Sequence, residues 1–182
     1  MSMILQKINI EESILKKRLM YKVSFDHRLN RLTFCALILS LMFSFSMLMV
    51  HETLSTLNAA EITYMICLVI FIVFGCYGFF RVITERNLMR IESENTLKGN
   101  IGLLAEYGKK SGYEVHKQSS NCLILTESYL SGWPSYRAYR CYVFILEEGC
   151  IYYCSIKTGG KAIAPSLLDH WIVLRDVKKM VR

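Results

Sequence analysis

The sequence predicts a membrane protein of α+β type: a two-helix transmembrane hairpin followed by a cytosolic domain built as an antiparallel α-β-β-β-β-α meander. Three observations predict it. Two 19-residue stretches carry no charge, Leu32 to Val50 (LTFCALILSLMFSFSMLMV) and Ile62 to Phe80 (ITYMICLVIFIVFGCYGFF). Lys and Arg flank this pair but are missing between its members. From Tyr113 onward, short β-branched and aromatic runs are separated by turn residues and end in a helix-like stretch.

A 19-residue helix spans about 28 Å, and a bilayer core is about 30 Å thick. Each stretch therefore fits one crossing. The chain has 182 residues, 53% hydrophobic and 20% charged, with mean hydropathy +0.29. The figures coexist because apolar and charged residues are segregated along the chain. Two buried helices of a soluble protein are the competing reading, but uncharged runs of this length are rare there. A cleaved signal peptide is disfavoured, because the first run begins only at Leu32 and no small-residue cleavage site follows it. Orientation follows from the positive-inside rule. Lys7, Lys16, Lys17, Arg18, Lys22, Arg28 and Arg31 precede the first run, and Arg81, Arg86 and Arg90 follow the second. Residues 51–61 hold only Glu52 and Glu61. The expected location is the inner (cytoplasmic) membrane, multi-pass, with both termini cytoplasmic.

Four regions follow in order. Residues 1–31 form a cytosolic N-terminal segment, in which Ile4, Ile8, Leu15 and Leu19 fall near one face of a helix over 4–20. That face can lie on the inner leaflet or pack on the cytosolic domain. Residues 32–80 form the hairpin, with spans 32–50 and 62–80. Residues 81–95 lack Pro and continue the second span as a helical stalk. Residues 96–182 form the α+β domain. In it Ile101, Leu103, Leu104 and Tyr107 read as a short helix ending near Gly108 to Gly112. Strands are expected at 113–118, 122–126, 139–146 and 150–157, with helices on one face of the sheet. Gly149 supplies the positive φ of the last hairpin turn, and Leu168, Trp171, Ile172, Leu174 and Val177 mark a closing helix.

Enzyme signatures are missing. No nucleophile elbow, phosphate-binding glycine loop, paired-His metal motif or dinucleotide fingerprint occurs. The four His (His27, His51, His116, His170) are scattered. Of the seven Cys, none forms a CxxC pair, and Cys150 and Cys154 sit in apolar, strand-like runs. They read as small buried hydrophobes. The sequence thus points away from an enzyme, with no catalytic residue, no metal and no cofactor.

Charge carries the functional signal. Residues 96–182 hold twelve Lys and Arg against seven Asp and Glu. One cluster, Trp133, Pro134, Ser135, Tyr136, Arg137, Ala138, Tyr139, Arg140, interleaves aromatics with cations, which suits stacked bases and phosphate. The other, Lys157, Thr158, Gly159, Gly160, Lys161, sets two Lys around flexible backbone that can approach an anion. A solvated loop or attraction to lipid headgroups is the plainer reading of each. The candidate ligand-binding residues are Trp133, Tyr136, Arg137, Arg140, Lys157 and Lys161. Straight strands would put the two loops at opposite ends, so a site shared between subunits is expected. In the first span Ala36, Ser40 and Ser44 recur every four residues. Small residues let helices approach closely. The stripe reads as packing inside the hairpin, or as an oligomer contact or a Ser-lined pore.

In layout, the spans 32–50 and 62–80, the continuation past Arg81 and the basic, aromatic domain from Thr96 resemble the cyclic-oligoadenylate-activated membrane effectors of type III CRISPR systems. That resemblance implies a homo-oligomer in contact with membrane lipid, a cyclic nucleotide ligand on the soluble domains, and membrane disruption in antiviral defence. No duplex nucleic acid is expected. The alternative is a non-catalytic binding protein, such as a toxin-immunity or assembly partner.

Overall fold

The computed structural model describes residues 8–21, 29, 32–33, 35–41, 43–44, 59–130, 137–158 and 169–181. Its centre is a five-stranded antiparallel sheet: β1 Met89–Glu92, β2 Glu114–Ser119, β3 Cys122–Leu130, β4 Arg137–Glu147 and β5 Cys150–Thr158. The spatial order is β1-β5-β4-β3-β2. β2 to β5 follow one another as a meander, and β1 returns to the far edge beside β5. Gly149, at φ 76°, makes the tight β4–β5 turn, a conformation that glycine adopts without Cβ strain.

β4 is buried on both sides. Tyr142, Phe144 and Leu146 face one cluster with Leu123, Leu125, Ile151 and Tyr153. Helices α3 (Leu97–Lys110) and α4 (Asp169–Val181) cover it with Leu104, Val173, Leu174 and Val177. Cys141, Val143 and Ile145 face the opposite cluster with Cys122, Ile124, Cys154 and Ile156. The N-terminal segment covers that side with Ile8, Ile10, Ile14 and Leu19. Helices on one face only were expected, so a second layer is the correction. Its physical reason lies in the strand itself: a run apolar at every position has two faces to remove from water.

The N-terminal segment is shorter in helix than its apolar spacing suggested. α1 spans Ile10–Leu15, capped by Asn9, whose side chain accepts from the Glu12 N–H at 3.2 Å. Lys17, at φ 49°, then turns the chain. The Leu19 N–H donates to the Arg86 carbonyl (2.7 Å) and the Leu88 N–H to the Lys17 carbonyl (2.9 Å). Leu19 is buried while Leu15 is 83% exposed. Of the two placements open to this segment, the structure has it on the sheet.

The membrane reading is corrected. Among the described residues, no helix is long and apolar enough to cross a membrane. The transmembrane hairpin and the multi-pass inner-membrane location are therefore not retained. The second run falls within helix α2 (Ala59–Thr84), and the end of α2 serves to pack the domain. Gly78, Arg81 and Val82 are buried, as is Glu85 just beyond the helix. A Cβ on Gly78 would lie 3.5 Å from Ile38 Cδ1 of the first run. The described residues between 29 and 44 are helical; of the expected loop 51–61, residues 59–61 belong to α2, and 45–58 lie outside the described residues. In place of a stalk over 81–95, α2 ends at Thr84 and β1 begins at Met89.

α3 starts at Leu97, where the Thr96 hydroxyl accepts from the Gly99 N–H (3.2 Å). It presses on the sheet through Gly108. A Cβ there would meet Leu125 Cδ2 at 2.6 Å and Val115 Cγ2 at 2.9 Å. Gly108→Ala is therefore expected to destabilise the fold by ~1–3 kcal/mol, the usual cost of overpacking. Denaturant unfolding of the full chain checks this. An unchanged midpoint would mean that helix and sheet are not in close contact at this point.

Candidate functional site

The core ends in a row of charge. Glu127 lies opposite Arg140, and Arg140 opposite Lys157, across β3, β4 and β5. Strand side chains alternate, so these three share the face of Leu125, Tyr142 and Tyr153. Arg140 Nη1 approaches Glu127 Oε2 at 3.3 Å, and its Nε approaches Asp169 Oδ2 at 3.2 Å. Asp169 opens α4, where a carboxylate also complements the helix dipole. The Arg140 side chain is 26% exposed, so each pair contributes ~0.2–1 kcal/mol at most.

Two further elements reach the same end. The Lys157 N–H donates to Glu85 Oε1 at 3.2 Å. β1 pairs with β5 only from Cys150 to Tyr153, and past that point the buried Glu85 carboxylate serves the open edge of β5. The Glu85 carbonyl accepts from the Cys154 thiol at 3.1 Å. On α4, Trp171 Nε1 donates to the Tyr77 hydroxyl of α2 at 3.3 Å. Thus α2, α4 and three strands converge around Arg140 and Lys157.

Burial lowers the Lys157 ammonium below its ordinary value; Arg140 adds to the effect and Asp169 opposes it. Beneath the row lies a set of phenols. Tyr113 packs at a tilt against Tyr142 (5.2 Å between ring centroids) and edge-to-face with Tyr107 (6.1 Å). Burial pushes all three upward, Tyr107 to about 12, so they act as neutral hydrogen-bonding groups. The row therefore offers two cations, and Arg140 is held by carboxylates that an incoming anion could displace. Such a row can bind by ion exchange. Cys141 faces the other side of the sheet, and burial pushes the Cys122 thiol up to about 11. Among the described residues, no group of three or more His, Cys, Asp or Glu could hold a metal.

The structure brings Arg140 and Lys157 together as strand neighbours. Arg137 opens β4 opposite Leu130. Trp133, Tyr136 and Lys161 lie outside the described residues. The expectation that the two loops leave from opposite ends is corrected. The chain leaves β3 after Leu130 and re-enters at Arg137. It leaves β5 after Thr158, which lies opposite Tyr139. β3 and β5 run in the same direction because two reversals separate them, so both departures fall at one end of one sheet. A site shared between subunits is not required to put the two departures at one end of the sheet.

Ala36, Ser40 and Ser44 are exposed, while Ile38, on the other side of the same helical stretch, meets α2 at Gly78. The stripe is thus not what packs this helix on α2. Of the histidines, His116 Nε2 lies 3.0 Å from Thr126 Oγ1, and His170 is buried at the start of α4. Sequence reasoning missed Glu127, Asp169 and Glu85. Glu127 was accessible in principle, since pairing β3 with β4 puts it opposite Arg140. Asp169 and Glu85 arrive through tertiary packing, with no local signal.

Lys157→Met is expected to stabilise the folded chain by ~0.5–2 kcal/mol, because it removes a desolvated cation beside Arg140. In the wild type, stability is expected to rise as pH climbs from the lowered Lys157 value toward 10.5. Over that window the unfolded chain holds the proton and the folded chain does not. Thermal unfolding of both proteins checks this; a lower midpoint for K157M would contradict it.

No protein-family model matches the chain, and no curated protein matches its sequence.

Proposed function

We propose that this chain is a non-catalytic binding protein whose sheet end takes an anionic ligand of the nucleotide class, a cyclic oligonucleotide being the closest fit. The observation that carries this reading is the register of β4 and β5. It sets Arg140 beside Lys157 on one face, at the end where the segments bearing Trp133, Tyr136, Arg137 and Lys161 leave and enter the strands. Phosphates suit this chemistry, since charge-assisted hydrogen bonds to Arg and Lys are about twice as strong as neutral ones. Aromatic residues in the adjoining stretch of sequence, Trp133 and Tyr136, suit bases. The carboxylates of Glu127 and Asp169 hold Arg140 until an anion competes for it. Asp169 opens α4, and Trp171 two residues on is bonded to α2, so occupancy has a short route to that helix. The membrane-disruption output implied by the layout resemblance rested on the corrected hairpin and is not carried forward.

A second reading, a protein-binding partner of the toxin-immunity or assembly kind, is favoured by α2. Its Ile66, Val69, Ile70, Val73, Phe74 and Phe80 are exposed, and exposed apolar surface of this extent marks interaction sites.

Calorimetric titration of the full chain with cyclic tetra-adenylate separates the two. The proposal expects saturable binding that weakens at least about tenfold, or 1.4 kcal/mol, in Arg140→Gln and in Lys161→Glu, both folded. If the wild type binds no cyclic oligoadenylate, or both variants bind as it does, the partner-binding reading takes its place.

A further inference from the structure

β1 is the edge strand beside β5. Its backbone directions can be read from one bond: the Ser93 N–H donates to the Gly149 carbonyl at 3.0 Å, toward β5. Alternation then turns the polar groups of Met89 and Ile91 toward β5, and those of Arg90 and Glu92 toward the open edge. Leu88 has the same outward parity, and its N–H already donates to the Lys17 carbonyl. The N-terminal segment thus covers this edge as far as Leu88, and among the described residues no strand pairs with it from Arg90 onward. There a cleft of about 710 Å³ runs along β1, with Lys178 and Val181 at the end of α4 as its far wall. Arg90 and Glu92 are exposed and lie on one side of the sheet, while Ile91 between them is buried in the core on the other.

From this we infer that β1 is a self-pairing edge: a second copy of this chain joins it antiparallel about a twofold axis at Ile91. In that register Arg90 of each copy stands opposite Glu92 of the other, and Ile91 opposite its own equivalent. The outward N–H and C=O groups belong to Arg90 and Glu92, so each such pair exchanges both of its backbone bonds. The same operation sets opposite charges face to face twice, which a shift of one residue would lose. The occupant is a second copy rather than an arbitrary extended peptide because Arg-Ile-Glu is complementary to itself under a twofold axis. Two five-stranded sheets then become one continuous sheet. This interface is separate from the sheet-end charge row and does not depend on its ligand.

The test is a charge swap on the full chain, read as mass by sedimentation in mild detergent. Wild type is expected to be dimeric. Arg90→Glu and Glu92→Arg each oppose like charges and are expected to weaken association about tenfold or more. The double variant R90E/E92R restores opposite pairs and is expected to recover the dimer. Both positions are exposed, so thermal midpoints should stay near wild type. As a register check, R90C/E92C is expected to give a covalent dimer under mild oxidation where wild type does not, since paired residues sit at disulfide range. A monomeric wild type, single variants that associate as wild type does, or a double variant that fails to recover would each overturn the inference.

Discussion

From Cys141 to Leu146 every residue of β4 is almost wholly buried, and these side chains point alternately to opposite faces of the sheet. A strand in that state must be covered twice. One cover is local in sequence: α3 and α4 bracket the meander and close over Tyr142, Phe144 and Leu146. The other comes from far away. Residues 8–21 cross to the opposite face and bring Leu19 and Ile14 onto Val143 and Ile145. Short backbone bonds to Arg86 and Leu88 hold the segment in place. The end of α2 joins the same side through Glu85, whose carbonyl receives the Cys154 thiol. Burial of apolar area on this scale supplies most of the driving force for such a domain.

Where the double burial stops, charge begins. Tyr142 is the last apolar-faced residue of β4 toward its start on the helical side, and the next position on that face is Arg140. Glu127 follows Leu125 on β3 in the same way, and on β5 the buried Ser155 stands between Tyr153 and Lys157. At this half-buried margin Glu127 and Asp169 pair with Arg140, while Lys157 stands beside Arg140 as a like charge. The margin is also where α2 and α4 touch, through Tyr77 and Trp171. A ligand that changes the partners of Arg140 therefore acts at the point where the most elements meet.

Much of the domain could be read from the chain. The Glu147-Glu148-Gly149 turn and the apolar runs on either side of it mark β4 and β5 unambiguously, because a tight hairpin there needs positive φ. The closing helix was legible in the spacing of Leu174 and Val177. The second cover was harder to see. The unbroken run from Cys141 to Leu146 signals two buried faces, yet nothing local says that Leu19 answers it. Periodicity alone also favoured a longer N-terminal helix with Leu15 inside; Lys17 breaks that helix and Leu15 stays outside. The long apolar runs were read by length and charge, whereas in the structure the end of the second is tied into the domain. Of the site, the cations were legible as residue types. Their meeting was not, because it depends on counting strand reversals correctly.

Amide hydrogen exchange along β4 tests the central claim most directly, comparing the full chain with one lacking residues 1–21. If the N-terminal segment is the second cover, the amides of Cys141 to Leu146 are strongly protected in the full chain. In the shortened chain they lose protection together, since both faces are needed for one cooperative unit. Equal protection of these amides in the two proteins would contradict the account.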